Sequence, residues 1–150
     1  MAEHTHHAGA AWENSRDERW GSWLRRGVSY LIGVVVPWSL VYQMMATLIV
    51  GRSDPENDTV AWWLTVAAFL VVIGVTAFFA KDGQTWSHRL LRLQVCDLDG
   101  RPASRRRIAL RGVAHVVDLA SALIGFLWPL WDSKAQTFAD KMADTRVRRV

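Results

Sequence analysis

The chain has 150 residues, 51% of them hydrophobic, with one cysteine and 18 Lys and Arg against 14 Asp and Glu. This length suits a single domain, and the lone Cys96 excludes an intrachain disulfide. The net charge of +4 invites a nucleic-acid reading, but the cations crowd beside long apolar runs, as the positive-inside rule expects, and no nucleic-acid motif accompanies them.

Residues 1–19 are polar and mixed in charge, with His4, His6 and His7 close together. They read as a flexible tail: no spacing completes a metal set, and no short apolar core with a small-residue cleavage site marks a secretory signal. Trp20 and Trp23 then suit the headgroup layer, and Arg25 and Arg26 the lipid phosphates.

A first span over about 28–50 follows without charge, and Pro37 near its middle predicts a kink. At 100° per residue, Ser29, Gly33, Ser39, Gln43 and Thr47 share one face. In lipid, small and amide-bearing residues pack helices together, so this face is expected to meet protein: a membrane-protein partner or a second copy of the chain. The connection GRSDPENDT is short and acidic and belongs outside the cell.

The second span, Val60 to Ala80, is the strongest signal in the chain: 21 uncharged residues. At 1.5 Å per residue they extend about 31 Å, the thickness of a bilayer's hydrocarbon core. Helix is the conformation lipid permits for such a segment. Trp62 and Trp63 mark its outer interface, and Lys81 with Trp86 the inner one.

The segment from Lys81 to Arg111 carries eight Lys and Arg and is expected in the cytosol with the N-terminus. Within it, His88 to Leu93 reads as a short interfacial helix, and LRLQVCDLDGRPAS as a strand, a turn through Asp97-Leu98-Asp99-Gly100, and a return. Arg105, Arg106 and Arg107 fit topology anchoring or attraction to anionic lipid.

A third apolar stretch, about 112–131, contains His115 and Asp118, and Arg107, Arg111, His115, Asp118, Ser121 and Gly125 share a helical face. A carboxylate at this depth needs a partner, and Arg111 and His115 are the local candidates. Two roles fit: a neutralised pair that orients helices, or an ion or proton site. Three full crossings would leave the basic tail outside, yet TRVRRV alternates like a strand that pairs with Leu93 to Cys96. The segment is therefore expected to enter and turn back, broken near Gly125 or Pro129, with the C-terminus cytosolic. The predicted fold is an all-α membrane protein: a helical hairpin, a third embedded and re-entrant or broken helix, and a small cytosolic strand element.

From Trp20 to Val150 these residues resemble the RDD family of small bacterial membrane proteins, named for one arginine and two aspartates. Arg26 matches the arginine at the mouth of the first helix. Gly83-Gln84-Thr85 matches the start of a Gly-x-Thr-x-Gly-Lys stretch, and Val95, Asp97, Asp99 and Gly100 its strand and turn. Gln136, Phe138, Asp140, Ala143, Thr145 and Val147 match the pattern holding the second aspartate, here Asp140. Three positions depart: Gly33 stands where the family has its first aspartate, Ser87-His88 replaces Gly-Lys, and Ala139 replaces a histidine. The resemblance implies a multi-pass protein of the bacterial plasma membrane and points to transport, some members resembling cation/proton exchangers.

Without the helix-buried acid, the first expectation is a non-enzymatic accessory or assembly subunit of a larger membrane complex. The alternative is a self-associating exchanger using Asp118 and His115, with Arg26 and Asp140 closing the cytosolic mouth. A third is an anionic-lipid-binding or membrane-shaping protein. No enzymatic constellation, cofactor motif or metal spacing accompanies these readings.

Overall fold

A computed structural model describes residues 16–51 and 57–150. The histidines of the tail, the side chain of Trp20 and the Asp-Pro of the first connection lie outside the described residues.

The first helix runs from Arg16 to Val50 and changes pitch twice: α1 (Arg16–Tyr30), a π-turn (Leu31–Val35), α2 (Val36–Met45) and a second π-turn (Ala46–Val50). Pro37 has no N–H to continue the ladder. The preceding turn widens to compensate, and the Val36 N–H reaches back to the Leu31 carbonyl. Gly51, left-handed at φ 76°, ends the helix with its N–H on the Thr47 carbonyl at 3.0 Å. The candidate span, Ser22–Val50, whose most apolar 18-residue window has a mean hydropathy of 1.7, is 29 residues long. At about 1.5 Å per residue it exceeds the hydrocarbon thickness, so its first turns reach the interface.

The second span is α3 (Asp58–Phe78), whose most apolar 18-residue window has a mean hydropathy of 2.2. The Asn57 side chain caps it by accepting from Thr59 N and Val60 N at 3.0 and 3.2 Å. Trp38, on the far side of the first helix from its polar face, donates Nε1–H to the Thr65 carbonyl at 3.2 Å and ties the hairpin. The chain leaves α3 through a tight turn, Lys81 to Gln84, closed by two backbone bonds of 3.0 and 2.9 Å. Its central residues, Asp82 (φ 53°) and Gly83 (φ 73°), are both left-handed. That geometry is what Asp-Gly supplies in a two-residue hairpin loop.

The short interfacial helix, α4 (Trp86–Leu90), starts two residues before its expected place because Thr85 caps it. Strand β1 (Leu93–Asp97) pairs antiparallel with β2 (Thr145–Arg149), Val95 opposite Val147. The expected turn follows β1, with Gly100 at φ 83°. The return after it is a single bridge between Cys96 and Pro102. Leu93, Val95 and Val147 pack with Ala77, Ala80, Ala103 and Ile108 into a core that fastens the sheet under α3 and the third helix.

That third helix, α5 (Arg105–Ala120), is capped by Ser104 and packs on α3 where Gly112 meets Ile73. It breaks at Ser121–Leu123, where Ala122 and Leu123 are left-handed, before α6 (Ile124–Leu127) and a 3₁₀ turn (Trp128–Leu130). The path is bent by 111° between the two arms. The third segment is broken as expected, with the break falling just ahead of the Gly125 and Pro129 positions read from the sequence. Helix α7 (Phe138–Met142) then leads into β2, which lies beside β1. The C-terminal strand is therefore on the same side as the Lys81–Arg111 segment.

Candidate functional site

Four polar positions far apart in the sequence converge where α1, α5, α7 and β2 meet. Asp140 is fully buried. Arg111 donates Nε–H to its Oδ1 at 2.6 Å, and Arg26 Nη1 stands 3.7 Å from Oδ2. Thr145 Oγ1 adds a bond of 3.3 Å to Oδ1, and the Thr137 N–H one of 3.2 Å to Oδ2. Thr137 returns the contact by accepting from Asp140 N, which makes a capping box at the start of α7. Burial alone would raise the Asp140 pKa, but Arg111 and Arg26 outweigh it and hold the carboxyl at about 2.

Arg26 also donates to the carbonyls of Ala135 and Val147, each at 2.6 Å, and Gln136 donates Nε2–H to the Thr145 carbonyl at 2.7 Å. The family-motif residues Arg26, Gln136, Asp140 and Thr145 thus form one staple that binds the first helix to the end of the chain. Gly83 and Thr85 act elsewhere. A Cβ on Gly83 would strike the Val95 carbonyl, whereas Thr85 stands on α4 with its Oγ1 2.5 Å from His88 Nδ1.

Asp118, also fully buried, keeps one of its two expected partners, His115, and not the other. Arg111 is not its partner, because that guanidinium is turned to Asp140. His115 Nδ1 lies 2.6 Å from Asp118 Oδ2, and the N–H groups of Phe138 and Ala139 donate to Oδ1 at 3.0 and 3.3 Å. The carboxylate therefore holds the first turn of α7, where free amides favour an anion. The bend at Ser121–Leu123 brings Gly125 against it so closely that a Cβ there would overlap the carboxylate. His115 is stacked on Phe126 with 5.1 Å between centroids, and Tyr30 presents its edge to His115 at 5.0 Å.

The predicted packing face of the first helix divides. Ser29 and Gly33 are used inside the chain: Ser29 Oγ donates to Ser87 Oγ at 3.0 Å, and Gly33 lies so near Ser87 that a Cβ would overlap its hydroxyl. Ser39 bonds to its own helix through the Val36 carbonyl at 2.8 Å. Gln43 and Thr47 are exposed on the outside. The arginine triplet divides too. Arg105 donates to the Ala80 carbonyl and covers the Phe78 ring, Arg107 reaches Asp97 and the Asp144 carbonyl, and only Arg106 is left to the surroundings. Among the described residues no group of three His, Cys, Asp or Glu is placed to hold a metal ion.

Beside the staple is a cavity of about 320 Å³ reached by Arg26, Arg111, His115, Ser87 and His88. Burial, with Arg111 close by, pushes the His88 imidazole down to about 3, so it is neutral. Sequence reasoning missed Thr137, Tyr30 and Phe126 as parts of this site. A signal existed for the first, since Thr-x-x-Asp is a capping box. The two rings could be placed only by the fold.

The family comparison covers most of this architecture. The model of the RDD family matches residues 20–144. Among curated proteins, the chain is similar to the "Proline-rich antigen homolog" of two Mycobacterium tuberculosis strains, 28% identical over 126 residues. That alignment covers 79% of this chain and 52% of each relative. It is also similar to the "Proline-rich antigen" of Mycobacterium leprae, 37% identical over 87 residues, 55% of this chain and 33% of that protein. The chain thus spans about half the length, or less, of the curated relatives it matches, and no solved structure matches it significantly. With the family model spanning residues 20–144, this membrane protein belongs to the RDD family.

Proposed function

We propose that the chain is a non-enzymatic subunit of a larger complex in the bacterial plasma membrane, docked through the outer half of its first helix. The observation that carries this reading is Gln43. Its side chain is exposed on an apolar span and bonds to no described residue. A primary amide facing hydrocarbon is costly unless a neighbour supplies its donors and acceptors. Leu40, Met44 and Leu48, exposed around it, offer the apolar part of such a contact. The carboxylates give further support: Asp118 and Asp140 already spend their oxygens on His115, Arg111 and backbone amides of α7, which suits a scaffold better than a relay.

Exchange through Asp118 and His115 remains the second reading, favoured by one observation, the place of His115 on the wall of the cavity. The discriminating experiment is native mass spectrometry of the protein extracted from its own membrane in mild detergent. A stoichiometric foreign membrane protein that Gln43→Leu releases, while the variant still inserts, is the expected result. A homo-oligomer without companion, together with loss of ion-driven pH change in vesicles for Asp118→Asn, would replace docking with exchange.

A further inference from the structure

The cavity beside the staple changes character along the helices. Helices α1 and α5 lie side by side in register: Arg26 and Arg111 meet at Asp140, and one turn on, Tyr30 meets His115. A further turn brings Val34 and Leu119, also on the wall. The polar and apolar ends are thus about 12 Å apart at 1.5 Å per residue. Leu31, Leu119 and Leu123 line the apolar end and are 51, 46 and 52% exposed, so it opens sideways, where a bilayer places acyl chains.

Hydrogen-bond donors are left over at the polar end. Two guanidiniums share the single carboxylate of Asp140, because Asp118 is turned to His115 and the amides of α7. Arg26 Nε is buried without a partner. Arg111 gives its Nε–H to Asp140, and its Nη groups donate to no other described residue. The Arg26 side chain is 10% exposed and that of Arg111 11%; the Arg26 Nε is shut off from water, whereas the Arg111 Nη groups keep some access to it. Basic pockets between membrane helices at the interface are where lipid headgroups bind, and the volume of about 320 Å³ lies within the range of small-molecule sites.

We propose that this cavity binds one anionic phospholipid from the side. Its phosphate takes the spare donors of Arg26 and Arg111, and the first methylenes of one acyl chain lie against Val34, Leu119 and Leu123. The site is separate from the Gln43 face, on the other half of the first helix.

The test offers the full chain, in detergent micelles, equal amounts of dioleoyl-phosphatidylglycerol and dioleoyl-phosphatidylcholine and counts adducts by native mass spectrometry. The anionic lipid is expected to be retained at least about tenfold over the zwitterionic one, a preference of about 1.4 kcal/mol. Leu119→Trp, which fills the apolar end and touches neither guanidinium, is expected to remove at least about nine-tenths of the adduct, again a tenfold change. Arg111→Gln is expected to erase the preference in protein that a melting curve shows to be folded. Equal retention of the two lipids would overturn the proposal. So would an adduct that Leu119→Trp leaves intact, which marks a lipid bound around the outside, or one that millimolar inorganic phosphate displaces completely, which marks a free-anion site.

Discussion

Asp140→Asn removes the charge on which α1, α5 and α7 converge and keeps the shape of the side chain. The carboxyl stands at about 2 against an ordinary 3.8, and at about 1.36 kcal/mol per unit this contributes on the order of 2 to 3 kcal/mol. Removing one partner from a buried ion pair, which here leaves Arg26 and Arg111 without a counter-charge, costs about 3 to 5 kcal/mol. A loss of about 2 to 5 kcal/mol lowers Tm by roughly 5 to 20 °C in a chain of this size. Cys96 supplies the assay. It is the only cysteine and is 1% exposed, and burial pushes its thiol pKa up, so a thiol-reactive fluorophore reports unfolding. Because the folded-state pKa is depressed, the stabilisation is present at neutral pH and is lost as pH falls from about 4 through about 2. The gap between wild type and variant, followed there by circular dichroism because a protonated thiol does not react, should narrow over that window. A variant that melts within about 2 °C of wild type at neutral pH, or a gap that does not change with acid, would refute the argument.

Two further outcomes follow from the packing. Gly33→Ala drives a methyl group into the Ser87 hydroxyl and should destabilise by about 1 to 3 kcal/mol. Ser87→Gly in the same chain should recover more than half of that in the thiol melt, whereas simply additive losses would mean that the two sites do not touch. For topology, cysteines placed at Asp99 and at Val150 in a Cys96→Ala background should be labelled from the same side of the membrane, and one at Asp58 from the other. Labelling of position 150 from the Asp58 side would sink the re-entrant third segment.

The departures from the family pattern take on a physical meaning in the fold. Gly33, where the resemblance implies an acid, lies in the π-turn of the first helix against Ser87 of α4, the first of the two residues that stand in place of Gly-Lys. The acid and the base are both missing, and a hydroxyl fills the space that the glycine leaves. His88, held near 3 and bonded to Thr85, is neutral in their place.

The two spans were legible in the sequence because embedding in lipid is a sum over neighbouring residues: 21 uncharged positions make a helix whatever the rest of the chain does. The pairing of TRVRRV with Leu93 to Cys96 was legible for a similar reason, since alternation and side constrain a strand together. The partners of the charges were not. Arg111, His115 and Asp118 share a helical face, and spacing alone offered both Arg111 and His115 to Asp118, of which only His115 is its partner. The fold instead brings α7 to both, so that its amides take Asp118 and its Asp140 takes Arg111. That choice depends on the turn at Ala122 and Leu123, two residues without a glycine's preference for left-handed backbone, held there by the packing of Gly125 on Asp118. Local composition decides which segments enter the membrane; which buried charge answers which is decided where separate segments meet, because each must find its counter-charge in a medium that supplies none.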